Sequence, residues 1–178
     1  LRRQRQMCIR DSNDTTIRLV QLGCSASGYN VQAYVTQALP AHTVVDSTLL
    51  DLDGVGRALR SALSRLSTSA RGAAAAVAGP SVITRMIEME AGLTDDEMGW
   101  MIQMEADQYI PYPLDDVAID FQVRGPTALD PNRVEVLLAA CLKEQVEARE
   151  AVLALAGLVP KVIDVEAFAL ARACSQDF

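Results

Sequence analysis

A run of small apolar residues, AAAAVA at positions 73–78, lies between Gly72 and Gly79. A short apolar run between glycines is typical of a strand that is buried on both faces. The segment before it has apolar residues at helical spacing, and Asp51 or Asp53 is placed to cap the free N–H groups at its start. These apolar residues are Val55, Leu59, Ala62, Leu63 and Leu66. An amphipathic helix followed by a buried strand predicts an α/β fold.

The residues before this helix predict a β-hairpin. Positions 16–23, TIRLVQLG, alternate in the manner of a strand, and positions 29–39 resume the same alternation after small turn residues. Pro40 ends the second strand. Residues up to Gly79 therefore make one α/β unit.

A second unit follows, with the predicted order β-α-β-β. Its helix begins at Thr94, because Thr94 and Glu97 have the spacing of a capping box, and we expect it to run to about Tyr109. The predicted strands are 82–89, 117–124 and 133–141. Beyond this unit the spacing predicts a helix over 143–158, a buried strand over 162–165 and a further helix from Phe168.

Composition excludes several classes of function. Sixteen basic and twenty-three acidic residues give a net charge of −7, which disfavours nucleic acid as a partner. No apolar run approaches the length of about 20 residues that a membrane helix requires. The four cysteines form no C-x-x-C pair and His42 is the single histidine, so zinc sites of the usual spacing are excluded. We interpret His42 as a loop residue.

The first twelve residues, LRRQRQMCIRDS, have no helical or strand period. The segment looks like the translated sequencing-adapter junctions found at the ends of metagenomic gene fragments. We therefore interpret residues 1–12 as a non-native junction, exclude them from the fold, and expect the true N-terminus to be missing.

The helix of the second unit has large apolar residues on two faces. Core packing is the default interpretation of the face formed by Met98, Met101, Ile102, Ala106 and Tyr109. Trp100 and Met104 point nearly opposite, so on a helix with one buried face they are exposed or contact another element. Large apolar residues on this second face suggest a contact surface.

Several segments resemble the PilM family of type IV pilus assembly proteins, which are relatives of the cell-division protein FtsA. They are SVITRMIEM at 81–89, EADQYIPYPL at 105–114, residues 134–141 and PKVIDVEAFAL at 160–170. The resemblance covers residue 13 to about residue 173. It implies the first lobe of an actin-like (ribonuclease H-like) protein. Residues 13–79 and 142–178 would form a partial core subdomain, and residues 80–141 the inserted β-α-β-β subdomain.

The resemblance also implies nucleotide binding, by ATP with Mg²⁺, in the full-length protein. The phosphate-binding segment of the family has the form D-I-S-S-T, and the aligned residues here are 11–15, DSNDT. Asn13 and Thr15 are the candidate phosphate ligands and Asp11 the candidate metal ligand, with ordinary turn residues as the alternative. Asp14 stands where the family has a serine, and its carboxylate would repel phosphate unless Mg²⁺ intervened. We expect no tight binding of ATP to this chain alone.

Asp164 and Glu166 alternate at the end of the last predicted strand. Paired carboxylates suggest a metal or acid–base role in a nucleotide site. We favour the alternative interpretation, a polar strand end near the floor of the cleft, because no nucleophile or second carboxylate pair completes a reaction centre.

The partner implied by the resemblance is the short cytoplasmic N-terminal peptide of the inner-membrane protein PilN, held in a groove beside the insert, together with other pilus-assembly proteins. The candidate partner-binding residues are Trp100, Met104, Tyr109 and Tyr112. The expected function is a non-enzymatic scaffold in the cytoplasm, at the inner face of the bacterial inner membrane, which touches the membrane only through its partner. The alternatives are an FtsA-like division scaffold and, less favoured, a sugar-kinase-type phosphotransferase.

Overall fold

A computed structural model describes residues 15–25, 28–66 and 68–174, and the backbone of residues 6–13. Two compact units divide the chain: one joins the residues up to Gly79 to those from Gln145 onward, and the other is Pro80–Glu144. The strands are β1 (Gln6–Asn13), β2 (Thr16–Ser25), β3 (Gly28–Ala38), β4 (Val44–Val45), β5 (Thr48–Leu49), β6 (Gly72–Val77), β7 (Ile83–Glu90), β8 (Val117–Pro126), β9 (Arg133–Leu142) and β10 (Val159–Val165). The helices are α1 (Leu52–Leu66), α2 (Asp95–Glu105), α3 (Lys143–Leu155) and α4 (Glu166–Cys174).

The first unit is built on a five-stranded sheet in the order β10-β6-β1-β2-β3. The strands β1, β2 and β3 form an antiparallel meander, whereas β6 runs parallel to both β1 and β10. Burial in β2 alternates, so that Ile17 and Leu19 lie in the core while Arg18 and Val20 are half-buried on the other face. The predicted hairpin and the predicted strand after α1 are confirmed.

Helices α1 and α3 supply much of the rest of this core. The side chain of Asp51 caps α1, since its Oδ1 accepts a hydrogen bond of 2.8 Å from the N–H of Gly54. Of the two expected capping residues, the structure thus selects Asp51. Leu59 of α1 and Leu153 of α3 are almost fully buried in the same cluster as Leu19, and this packing holds the helices to the sheet.

The second unit has the predicted element order, β-α-β-β, in β7, α2, β8 and β9. Its sheet is antiparallel with the order β7-β9-β8. Helix α2 packs through Met98 and Ile102 against Val136 and Leu138 of the central strand. The predicted core face of α2 is therefore confirmed.

The predicted capping box at the start of α2 is present. The N–H of Glu97 donates to Oγ1 of Thr94 at 3.3 Å, and the N–H of Thr94 donates to Oε2 of Glu97 at 2.8 Å. The hydroxyl of Thr94 also donates to Oε2 of Glu97, at 2.8 Å. The two bonds that this carboxylate accepts, first from the backbone N–H of Thr94 and then from its hydroxyl, hold the pKa of the Glu97 carboxyl below its ordinary value.

The exclusion of residues 1–12 from the fold is wrong for residues 6–12. Their backbone forms most of β1, which pairs with β2 from Gln6↔Leu22 to Asn13↔Thr16 and lies at the centre of the sheet. The sequence pattern missed this strand because backbone N–H and C=O groups can pair whatever the side chains are. The expectation that these residues are a non-native junction is a separate statement and stays a prediction.

Several other predicted boundaries differ from the structure, among them the end of α3 at Leu155 and the start of α4 at Glu166. Helix α2, which was expected to run to about Tyr109, ends at Glu105. The chain then tightens into a 3₁₀ turn, in which the N–H groups of Tyr109 and Ile110 both donate to the carbonyl of Ala106. Strand β10 begins at Val159 and so includes Pro160. Proline is tolerated there because β10 is the outermost strand of the described sheet and needs fewer N–H donors.

Candidate functional site

Three strands of the first unit end at the same edge of the sheet. Because β6 is parallel to β1 and to β10, the carboxyl ends of all three strands meet there. Asn13 ends β1, Thr15 follows in the exposed turn, and Asp164 lies near the end of β10 with Glu166 directly after it. Strand β6 separates β1 from β10 in the sheet, and Asn13 lies beyond the last pairing of β1 with β6, at Cys8↔Ala74. The fold therefore brings the candidate nucleotide residues to one edge.

Asp164 has partners of its own at this edge. Its Oδ1 accepts a hydrogen bond of 2.7 Å from the N–H of Val165, and its Oδ2 forms an ion pair with the guanidinium of Arg172 in α4. A carboxylate held by a helix cation and by the backbone ties α4 to the end of β10. This geometry supports the interpretation of Asp164 as a polar strand end. Glu166 is the half-buried first residue of α4.

The described residues offer no complete metal site. No group of three His, Cys, Asp or Glu side chains that could hold a metal ion occurs among them. The side chains of Asp11, Asn13 and Asp14 lie outside the described residues. Among the described candidates at this edge, Asp164 is already paired with Arg172, so its carboxylate fits an ATP–Mg²⁺ group poorly, whereas Thr15 is exposed.

Arg149 of α3 is a residue that the sequence analysis missed. It is 8% exposed, and its Nε donates to the backbone carbonyl of Ala76 in β6 at 2.7 Å. Strands β1 and β6 pair only at Met7↔Ala73 and Cys8↔Ala74. Arg149 thus binds the backbone of β6 beyond the point where β1 stops pairing with it. The available signal was its place at helical spacing from Val152 and Leu153, on the apolar face of α3.

The other reactive side chains considered above are His42 and the cysteines. His42 is exposed and has a φ of 62° in the turn before β4, so its interpretation as a loop residue is confirmed. The described cysteines, Cys24, Cys141 and Cys174, form no disulfide. None of the described helices is both long enough and apolar enough to cross a membrane.

The candidate partner-binding residues of the second unit divide into two groups. Trp100 and Met104 are exposed on α2, at 65% and 67%, as their spacing predicts, and Tyr112 is 44% exposed. Tyr109 is half-buried and packs against two core clusters of this unit, so the structure places it in the core rather than on the exposed surface. Glu105, the last residue of α2, is exposed.

Solved structures with a similar fold were found. A chain of a PilM–PilN type IV pilus biogenesis complex superposes with a TM-score of 0.77 at 25% identity, over 92% of this chain and 47% of that one. The cytoplasmic domain of EpsL, an inner membrane component of the type II secretion system of Vibrio cholerae, superposes with a TM-score of 0.54 at 17% identity, over 90% and 57%. The present chain thus spans about half the length of these proteins.

The predicted fold class is confirmed by these similarities: an α/β, actin-like first lobe that carries an inserted β-α-β-β subdomain. The amino-acid sequence also matches a family model, that of the type IV pilus assembly protein PilM, over residues 11–177. This chain belongs to the PilM family of type IV pilus assembly proteins.

Proposed function

We propose that the protein is a scaffold of type IV pilus assembly that docks a PilN-like N-terminal peptide, rather than an enzyme. The observation that carries this proposal is the match over 92% of the chain to a PilM–PilN complex. Other pilus-assembly proteins would bind the same scaffold. Its place is the cytoplasmic face of the bacterial inner membrane, which it reaches only through its partner.

The docking surface in this proposal lies on the second unit and includes Trp100, Met104 and Tyr112. Large apolar side chains exposed together, on a unit whose own core is filled from the opposite helix face, are typical of a protein contact surface. Pro111 and Pro113 flank Tyr112 and stiffen the segment, so little entropy is lost there on binding.

Co-purification tests the docking. The chain is co-expressed with the N-terminal segment of the PilN homologue from the same organism, and the complex is recovered through a tag on that segment. Trp100→Ala and Tyr112→Ala should each reduce the recovered complex. Leu129→Ala is the matched control, because Leu129 is 97% exposed in another loop of the same unit. Full recovery with both variants would place the contact elsewhere, and no complex with the wild-type chain would contradict the function itself.

Nucleotide binding is proposed for the complete protein only. The candidate ligands are Thr15 and Asn13 for the phosphates and Asp11 for Mg²⁺, with Asp164 and Glu166 as further candidates, and what supports them is that β1 and β10 both run parallel to β6. One edge of one lobe leaves most of a nucleotide in water, so this chain alone should bind ATP weakly or not at all. Calorimetry with ATP and Mg²⁺ checks this, and micromolar affinity would contradict it. In the full-length protein, unchanged ATP affinity after Asp164→Ala and Glu166→Ala would remove these residues from the site.

A further inference from the structure

A groove of about 710 Å³ runs between α2 and β8 within the second unit. Side chains from both elements line it. The lining residues that matter here are Asp95, Asp96 and Trp100 on the helix and Asp120, Phe121 and Val123 on the strand. No candidate residue of the nucleotide edge belongs to this groove.

One wall of the groove is an open sheet edge. Strand β8 pairs with β9 on one side and is the last strand of the described three-stranded sheet. The N–H of Phe121 donates to its neighbour's side chain, Oδ1 of Asp120, at 2.8 Å. An edge strand presents a row of N–H and C=O groups without a strand partner, so a further strand can pair with β8 at the groups that a side chain such as Asp120 does not already bind.

Apolar side chains line the part of the groove that lies between α2 and β8. Trp100 is 65% exposed and Val123 is 40% exposed, while Phe121 lies at the floor beside Gly99. A Cβ at Gly99 would lie 3.6 Å from Cε1 of Phe121, so the glycine leaves this aromatic ring accessible from the groove. An apolar side chain placed here would contact two aromatic rings.

The charge of the groove has one sign. Asp95, Asp96 and Asp120 are all exposed, and none of the described lining residues is Lys, Arg or His. Side chains alternate along a strand, so Asp120 points to the face of the sheet opposite Phe121. A strand added beside β8 would therefore meet Phe121 and Trp100 on the side of α2, where Asp95 and Asp96 also lie, and Asp120 on the other face of the sheet.

We propose that this groove binds an extended segment of a partner protein, in which apolar residues alternate with Lys or Arg, by strand addition to β8. The inference deepens the proposed function and rests on it, because the occupant is a segment of a partner. Main-chain hydrogen bonds to the edge supply affinity, and the alternating pockets supply specificity. Polyanions are repelled by the three carboxylates, and a helix leaves the edge groups of β8 without partners.

Trp100 is the single tryptophan of the chain, which makes it a reporter for this groove. The probe is an acetylated ten-residue peptide of alternating Val and Lys, titrated into the full chain. Saturable binding with a blue shift of the tryptophan emission is expected, because the exposed indole becomes buried. Two further versions of the peptide separate strand addition from charge attraction. One is N-methylated at every Val and the other at every Lys, so each lacks the N–H donors of one side of the strand. One version should lose binding at least tenfold while the other retains it, since only one set faces β8.

Asp120→Asn tests the charge without disturbing the strand, because the asparagine oxygen can still accept from the N–H of Phe121. The substitution should weaken the affinity for the peptide probe about twofold to fivefold. Asp107→Asn removes the same charge from an exposed position outside the groove and should leave affinity unchanged. Equal losses in the two variants, or equal binding of the two methylated peptides, would overturn strand addition in the groove.

Different results would contradict the proposed function and the proposed binding of a strand in the groove. If the PilN homologue co-purifies with the chain while the probe leaves the emission of Trp100 unchanged, the scaffold stands and the groove is not a binding site. If no PilN segment is recovered, the proposed function fails, and with it the partner on which the groove inference rests.

Discussion

Arg149 of α3 donates a hydrogen bond of 2.7 Å from Nε to the backbone carbonyl of Ala76 in β6, across 73 residues of sequence. The same guanidinium donates at 2.8 Å to the carbonyl of Gln145 and at 3.3 Å to that of Ser47. One buried cation thus joins the sheet, its own helix and the turn between β4 and β5. The carbonyls that it binds supply the hydrogen bonds that a buried charge requires.

Replacing Arg149 with methionine should destabilise the first unit. The methionine keeps much of the side-chain volume, but the Ala76 carbonyl loses a charged donor, so we expect a loss of about 2–4 kcal/mol in the free energy of unfolding. Urea denaturation measures it. Arg57→Met on the exposed side of α1 is the control and should change stability by less than about 0.5 kcal/mol. A loss below about 1 kcal/mol at Arg149 would show that its hydrogen bonds are dispensable.

Two helix glycines should respond to alanine in opposite directions. At Gly99 in α2 a new Cβ would meet Phe121 at an ordinary 3.6 Å, so Gly99→Ala should stabilise by about 0.5–1 kcal/mol through reduced backbone entropy. At Gly56 in α1 it would lie 2.9 Å from Cβ of Leu155, so Gly56→Ala should destabilise by about 1–3 kcal/mol. Thermal denaturation of both variants checks the signs, and the same sign at both would contradict the helix contacts described.

The capping box of α2 should contribute measurably to the second unit. Thr94→Ala removes the hydroxyl that accepts from the N–H of Glu97, and the expected cost is about 1 kcal/mol. Amide hydrogen exchange in the first turn of α2 measures the effect locally. Thr94→Ser keeps the acceptor and should exchange at nearly the wild-type rate. Equal protection in the alanine variant would show that the box is not formed in solution.

The stabilising effect of Glu97 should depend on pH. Its pKa in the folded chain lies below the ordinary value of 4.5, so its contribution is fully present above about pH 5 and is lost as the pH falls through the lowered pKa. The difference in urea midpoint between wild type and Glu97→Gln should therefore shrink between pH 5 and pH 3, in the direction of equal stability. A difference that stays constant over this range would contradict the lowered pKa.

The two units should lose stability separately. Leu59→Ala opens a cavity in the core of the first unit and Leu138→Ala in that of the second, each at about 3 kcal/mol, since both side chains are almost fully buried. Hydrogen exchange with mass spectrometry should show faster exchange confined to the unit that carries the substitution. Faster exchange throughout the chain in either variant would mean that the units unfold as one.

Features set by neighbouring residues were predictable from the sequence. The Thr94–Glu97 box and the exposure of Trp100 depend only on the 3.6-residue period and on groups within one turn. The strand β6 was predicted because a short apolar run between glycines leaves few alternatives. Motif resemblance added the actin-like fold, which no periodicity could have supplied.

Features that depend on distant residues were not predictable in the same way. The pairing of β1 with β2 and β6, the burial of Arg149 and the groove beside Phe121 each require elements far apart in the chain to meet. In the case of Asp164, the sequence placed the carboxylate at a strand end, but only the position of α4 shows that Arg172 pairs with it.

The sequence by itself determined the α/β class, the element order of the second unit and the two faces of α2, because these depend on hydrogen bonds and side-chain periodicity among consecutive residues. Tertiary structure alone decided which strands lie at sheet edges and which charged side chains find partners, since both depend on contacts between segments that the chain order does not bring together. For this protein, the open edge of β8 and the buried guanidinium of Arg149 are of that second kind.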